Sequence, residues 1–234
     1  MMDTMKQTLL EGLPALGLKL SEDTADKLCA FGAAVVEQNA VMNLTAITEP
    51  AAVAKLHLLD SLTVLTAAEL SEKKLIDVGC GAGFPGVPVA IACPDAQVTL
   101  LDSLGKRMTW LESILPQLGI QAKCITARAE EAVADHREKF DYATSRAVAR
   151  LNILLELTAP YVRIGGAVLA LKGSAAREEL NEAKNAVKKL GLQVEKIHDF
   201  TIDGATHSLI VLRKIAHTPP QFPRRYAKIK QSPL

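Results

Sequence analysis

A short apolar run that ends in an acid and breaks into closely spaced glycines, Leu75-Ile-Asp-Val-Gly-Cys-Gly-Ala-Gly-Phe-Pro-Gly86, constrains this chain more than any other segment. It reads as a buried strand passing through a glycine turn into a helix, where backbone can approach a ligand closely. Asp77, two positions before Gly79, separates the two main readings of such a turn. A dinucleotide pyrophosphate needs bare amides at the helix N-terminus and is repelled by a neighbouring carboxylate. A cofactor carrying an ammonium and a sulfonium is favoured by the same acid, and Pro85 removes one more amide. The turn therefore points to S-adenosyl-L-methionine, with Asp77, Gly79, Gly81 and Gly83 around it. Gly81-Ala-Gly-Phe-Pro-Gly86 also satisfies G-x-G-x-x-G, so a nucleotide enzyme and a purely structural turn stay open on this motif alone.

The segments on either side fix the fold class. Residues 1–72 read as a helical extension: Ser21 caps a helix whose first turn carries Glu22 and Asp23. Asn43–Ile47 reads as a short extended link, and Thr48 as the cap of a second helix with Pro50 in its first turn. From Lys74 onward, strand candidates at 75–79, 97–102, 121–126, 140–145, 166–171, 193–199 and 207–213 alternate with helix candidates at 86–93, 104–118, 128–135, 150–161 and 174–190. That alternation predicts an α/β, Rossmann-like, mostly parallel sheet. Only a Gly204 loop separates the last two strands, so they pair antiparallel. Seven strands ending in a hairpin fit a class I S-adenosylmethionine-dependent methyltransferase domain, expected over 73–214, better than a six-stranded dinucleotide domain.

Ligands of such sheets lie outside the C-terminal strand ends, so the polar residues at each end are the candidates. The second ends in Asp102, placed to grip a ribose or to cap the next helix. The third leads to Ala129-Glu130-Glu131, where an amide and a carboxylate can reach an adenine edge, unless the acids merely complement a helix dipole. The fourth ends in Ser145-Arg146 and the fifth in Lys172, with salt-bridged or solvent-exposed cations as the bland readings. A D-P-P-Y tetrapeptide and a Pro-Cys nucleophile are both missing there; Cys93-Pro94 runs the other way, in a helix. Two cations without a base suit an acidic substrate whose nucleophile needs no deprotonation, such as guanine N7. Transfer then rests on in-line positioning. The five histidines show no ligand spacing, so no metal is expected, and His57 reads as a packing residue. Trp110 and Tyr161 stand alone in the sequence and offer no stacking platform.

Charge is unevenly spread. Net charge is only +1, yet no acid follows Asp203, whereas Arg213, Lys214, Arg224, Arg225, Lys228 and Lys230 do. A cationic tail, 215–234, on an acidic body suits contact with a polyanion, or is simply solvated. Four dispersed cysteines without a C-x-x-C pair fit a reducing compartment. No run reaches the roughly twenty apolar residues of a membrane span, and Asp3 and Glu11 make a poor signal peptide. A cytoplasmic protein is expected, and nothing forces more than a monomer.

Together, N-L-T-A-I (43–47), H-L-L-D-S-L (57–62), D-V-G-C-G-A-G-F-P-G (77–86), L-L-D-S-L-G-K-R (100–107), F-D-Y-A-T-S-R-A (140–147) and A-L-K-G (170–173) resemble the glucose-inhibited division protein B family, the ribosomal RNA small subunit methyltransferases G. The resemblance covers nearly the whole chain, and T-P-P-Q-F-P-R-R-Y-A-K (218–228) is similar to the longer basic ending of part of the family. It implies S-adenosylmethionine-dependent methylation of guanine N7 at one position of the 16S ribosomal RNA loop near the decoding site, on RNA or small subunit. It also implies cofactor contacts from Gly79 and Phe84, Asp102 on the ribose, Ala129 and Glu130 on the adenine, and Arg146 at the pocket edge. Arg146 and Lys172 are the candidate catalytic residues. Together with Lys106, Arg107, Arg224, Arg225 and Lys228 they are also the candidate RNA contacts. A small-molecule methyltransferase and a non-enzymatic ribosome-assembly factor are the competing readings.

Overall fold

A computed structural model describes residues 1–234. Seven strands, β1 (Lys74–Val78), β2 (Gln97–Asp102), β3 (Lys123–Thr126), β4 (Phe140–Arg146), β5 (Val162–Lys172), β6 (Leu192–Ile202) and β7 (Ala205–Lys214), form one sheet in the order β3-β2-β1-β4-β5-β7-β6. The pairs from β3 to β5 are parallel, and β7 runs antiparallel to both β5 and β6. After β3 the chain returns to the other side of β1, so the order reverses between β1 and β4. That switch point opens the crevice where such sheets bind ligands.

Ten helices precede or intervene between strands or pack on the sheet, and an eleventh follows β7. They are α1 (Met2–Gly12), α2 (Glu22–Met42), α3 (Pro50–Val53), α4 (Asp60–Leu62), α5 (Gly86–Ala92), α6 (Gly105–Gln117), α7 (Ala129–His136), α8 (Leu151–Thr158), α9 (Ala176–Glu182), α10 (Lys184–Lys189) and α11 (Tyr226–Gln231). Between α3 and α4 the chain stays helical through a π-helical segment, Ala54–Leu59. Leu169 and Leu171 of β5 turn to one face with Phe31 and Val35 of α2, whereas Val168 and Ala170 turn to the other with Leu154 and Leu155 of α8. Both faces are covered, so the central strands read as continuous apolar runs.

Ser21 caps α2 as expected, accepting from the Thr24 amide at 3.2 Å. Elsewhere the boundaries differ for local reasons. Glu49, not Thr48, caps α3, its carboxylate 2.8 Å from the Ala52 amide. β5 begins at Val162, because Gly165-Gly166 is not a turn but a kink within the strand. A Cβ on Gly166 would stand 2.2 Å from the Asp141 carbonyl, so only glycine lets the strands approach there. The helix expected over 174–190 breaks at Ala183, and Cys93 follows α5 rather than lying in it.

The largest departure concerns the tail, which is docked rather than free. The Arg224 guanidinium forks onto the fully buried Glu156 of α8, Nε at 2.8 Å and Nη2 at 2.6 Å, and its amide donates to the same carboxylate. Phe222 and Ile229 join the core on the α8 face. Lys214 is buried as well, donating to the Ala159 carbonyl, and burial pushes its ammonium down to about 8. Removing one member of a buried ion pair leaves the other charge unsatisfied. Arg224→Ala is therefore expected to lower unfolding stability by about 3 kcal/mol in urea titration, far more than Arg225→Ala at an exposed position.

Candidate functional site

The C-terminal ends of β1, β2 and β4, with the loop after β3, surround a cavity of about 470 Å³. Gly79, Cys80, Gly81 and Phe84 form one wall, Asp102 and Arg107 another, and Ala127–Glu130 a third. Gly79 and Gly81 adopt φ of +74° and +57°, the left-handed region that glycine enters without strain. The turn is pinned internally, the Gly79 and Cys80 amides donating to the Leu101 carbonyl at 2.7 and 3.1 Å.

The amides around the turn decide which cofactor the cavity suits. The Gly83 and Phe84 amides donate to the Cys80 carbonyl, and Val87 donates to Gly83. Gly86 donates to Asp77 Oδ2 at 2.7 Å and Gly81 to Asp102 Oδ2 at 2.9 Å. Pro85 has no amide to give. A pyrophosphate would find this helix start already committed to protein acceptors and flanked by carboxylates. A cationic, ribose-bearing cofactor meets acids instead. Asp102 accepts from the amides of Gly81 and Leu104, so it fixes the turn and the short link into α6 while still lining the cavity.

Asp77, expected to face the cofactor, lies behind the turn, fully buried. A Cβ on Gly86 would stand 2.9 Å from its carboxylate, so the pair is packed tightly. Its Oδ1 has no hydrogen-bond partner, and burial raises the carboxyl from 3.8 to about 7 against the opposing Gly86 amide. Its evident work is to hold the helix start.

Arg146 turns away from solvent into the helical extension. Nη1 donates to the Leu56 carbonyl at 2.6 Å and to Asp60 Oδ2 at 2.8 Å, and Nη2 lies 3.0 Å from His57 Nδ1. The guanidinium carbon stands 5.2 Å from the centroid of the Phe84 ring, which also stacks on His57 at 4.6 Å. Because arginine only donates, His57 Nδ1 accepts. Nε2 then carries the proton and donates to Thr45 Oγ1 at 2.8 Å. Burial first, and then the Arg146 charge, push the imidazole down to about 4, so it is neutral and both nitrogens are committed. Burial pushes the Asp60 carboxyl up, but the His207 hydrogen bond and the Arg146 charge outweigh it and hold it below its ordinary value.

A second cavity, of about 600 Å³, adjoins the first, sharing His57, Arg146, Ala147 and Val148, and reaches Lys172 and His207. Ala147, at its mouth, holds φ +56°, a strained conformation for a residue with a Cβ. Lys172 supports that loop, donating to the Ala149 carbonyl at 2.6 Å and pairing with Glu179 at 2.8 Å. Its side chain is 7% exposed, so it is neither the free cation nor the solvated lysine expected. Ser145 is buried and donates to the Val78 carbonyl at 2.7 Å. Trp110 and Tyr161, isolated in sequence, pack on Phe31 and Phe140.

The structure thus brings Gly79, Gly81, Phe84, Asp102, Ala129, Glu130 and Arg146 to one cavity, with Gly83 packed behind it against Val87 and Phe31. It adds Thr45, His57, Arg128 and Tyr226, which sequence reasoning missed. Because Asp77 keeps its proton to about 7 in the folded chain and releases it near 3.8 when unfolded, stability falls as pH rises through that window. Asp77→Asn keeps an acceptor for Gly86 and cannot ionise. Its melting temperature relative to the parent is expected to rise between about pH 4 and about pH 7 in thermal melts and to level off above that.

Comparison with known proteins agrees with this geometry. Residues 24–209 match the family described as GidB, rRNA small subunit methyltransferase G. The ribosomal RNA small subunit methyltransferase G of Clostridium perfringens strain 13 is 42% identical over 94% of this chain and 95% of its own. That of Alkaliphilus oremlandii is 42% identical over 98% and 99%. Among solved structures, M. jannaschii TYW2 in complex with AdoMet superposes with a TM-score of 0.52 at 13% identity, covering 62% of this chain and 70% of that one. A precorrin-6y C5,15-methyltransferase from Geobacter metallireducens gives 0.52 at 13% identity, covering 73% and 90%. At those identities the likeness speaks for the class I methyltransferase fold, and the sequence matches speak for the family. An S-adenosylmethionine-dependent methyltransferase, this chain belongs to the rRNA small subunit methyltransferase G family.

Proposed function

We propose that the protein methylates guanine N7 at a single position of 16S ribosomal RNA, in the loop near the decoding site, in the cytoplasm and as a monomer. The observation that carries this reading is a second chamber next to the cofactor cavity in which Asp60, Glu179 and His207 Nδ1 are tied into ion pairs and hydrogen bonds with their neighbours. His57 is neutral with both nitrogens committed, and Lys172 is ion-paired. Cys80 is buried with its thiol raised well above the ordinary range. Such a chamber suits a nucleophile that carries a lone pair at neutral pH, and guanine N7 is one. S-adenosylmethionine supplies an electrophilic methyl group bound to a sulfonium. The protein's part is positional: the Phe84–His57–Arg146 stack and the Ala147 loop form the partition between the two chambers. Correct alignment of two bound reactants accounts for several kcal/mol of barrier, about 7–11 in favourable cases.

RNA recognition is proposed for the cations that no acid takes. Arg107 and Arg128 line the cofactor cavity, and Arg128, Arg225 and Lys230 line a groove beside it. Lys106 and Lys228 are exposed nearby in sequence. Arg224, Lys172 and Arg146, grouped with them on sequence, are held by Glu156, Glu179 and Asp60. Arg107→Ala and Arg128→Ala are expected to weaken RNA binding and to lower the salt slope of log affinity by about 0.7–0.9 per lost phosphate contact. Filter binding at several salt concentrations reads this out, and an unchanged slope excludes those residues.

The decisive experiment is methyl transfer from labelled S-adenosylmethionine to unmodified 16S RNA and to unmodified small subunits, followed by nucleoside analysis. The expected outcome is 7-methylguanosine at one site in at least one substrate. Cofactor binding with no transfer to either overturns the ribosomal reading.

A further inference from the structure

The C-terminal segment enters the cofactor cavity. Tyr226, the first residue of α11, lines the same cavity as Asp102, Ala129 and Glu130, although it follows the glycine turn by well over a hundred residues. Half-buried, it is held there from several directions. Arg224, two residues before it, is forked onto buried Glu156, and Ile229, three residues after it, is in the core. Arg137, which follows α7, donates from Nη2 to the Phe222 carbonyl at 2.5 Å and so ties the segment to the helix that begins at Ala129. The Ala129 carbonyl in turn accepts from the fully buried Tyr161 hydroxyl at 2.5 Å. Lys230 Nζ stands 5.8 Å from the Tyr226 ring centroid, supporting the ring from its own helix. Tyr226 is therefore preset by the folded protein rather than waiting to be drawn in.

We propose that Tyr226 is a cofactor-binding residue, an aromatic wall that closes the adenine end of the cavity, and that the tail contributes to the cofactor site through it. The proposal rests on the reading that places ribose at Asp102 and adenine at Ala129–Glu130. A purine base gains stability from an aromatic side chain, and alanine substitution of such a residue weakens binding by about fivefold or more. The tail then has two faces. Tyr226 serves the cofactor, whereas Arg225 and Lys228 are exposed.

Calorimetric titration of the full chain with S-adenosylhomocysteine tests this in Tyr226→Ala, Tyr226→Phe and Asp102→Ala. The expected result is a Kd raised about fivefold or more in Tyr226→Ala and by less than about twofold in Tyr226→Phe. If Tyr226→Ala binds as the parent does while Asp102→Ala is weakened, the cavity reading stands and the proposal is overturned. If neither substitution changes binding, the cavity reading itself fails, and the proposal with it. Should Tyr226→Ala not fold, the unaltered protein decides. S-adenosylhomocysteine, and not methionine, is expected to slow tryptic cleavage after Arg225, and equal cleavage in both overturns the proposal.

Discussion

The ion pair between Arg146 and Asp60 is the contact on which the site depends. It joins the end of β4 to the helical extension, and through His207 it reaches β7. All three elements meet at a buried carboxylate that is 7% exposed. Removing either partner would leave an uncompensated charge between two layers of structure. Phe84 is stacked on the same cluster, so the glycine turn is braced against the extension and not merely attached to the sheet. The partition between the two chambers therefore belongs to no single element.

A second theme is how the protein spends its charges. The cations that looked most available in sequence lie at strand ends or in the tail, and the fold uses several of them internally. Lys172 braces the Ala147–Arg150 loop, Arg224 fastens the tail, and Lys214 is sealed under Ala159 and Thr218. The cations left uncommitted around the mouth, Arg107 and Arg128 among them, belong to helix starts and loops. A chain of nearly neutral net charge can thus still present a basic rim to a polyanion.

The elements legible in sequence are those set by local chemistry. The glycine turn, the strand-end acids and the Ser21 cap each depend on residues within a few positions, and each stands where expected. The bond from the Gly86 amide to buried Asp77 is not legible, because sequence shows an acid beside glycines and not which amide it takes. The partners of Arg146 are 86 and 89 residues away, a separation at which no periodicity speaks. One signal for the docked tail was present. Glu156 is the only charged residue in the mostly apolar helix Leu151–Thr158, and a lone acid on a buried helix requires a cation from elsewhere.

The π-helical segment Ala54–Leu59 has a consequence for how the site can vary. A π turn holds one residue more than the regular repeat, and such bulges occur often at functional positions. His57 lies within it. Dropping one residue between Pro50 and His57 would let the helix settle into the ordinary 3.6-residue winding. The imidazole would then swing by about 100° around the axis, away from Phe84 and Thr45. An insertion or deletion in this short helix therefore displaces His57 from its partners. Its length, as much as its composition, sets where His57 stands against Phe84 and Thr45.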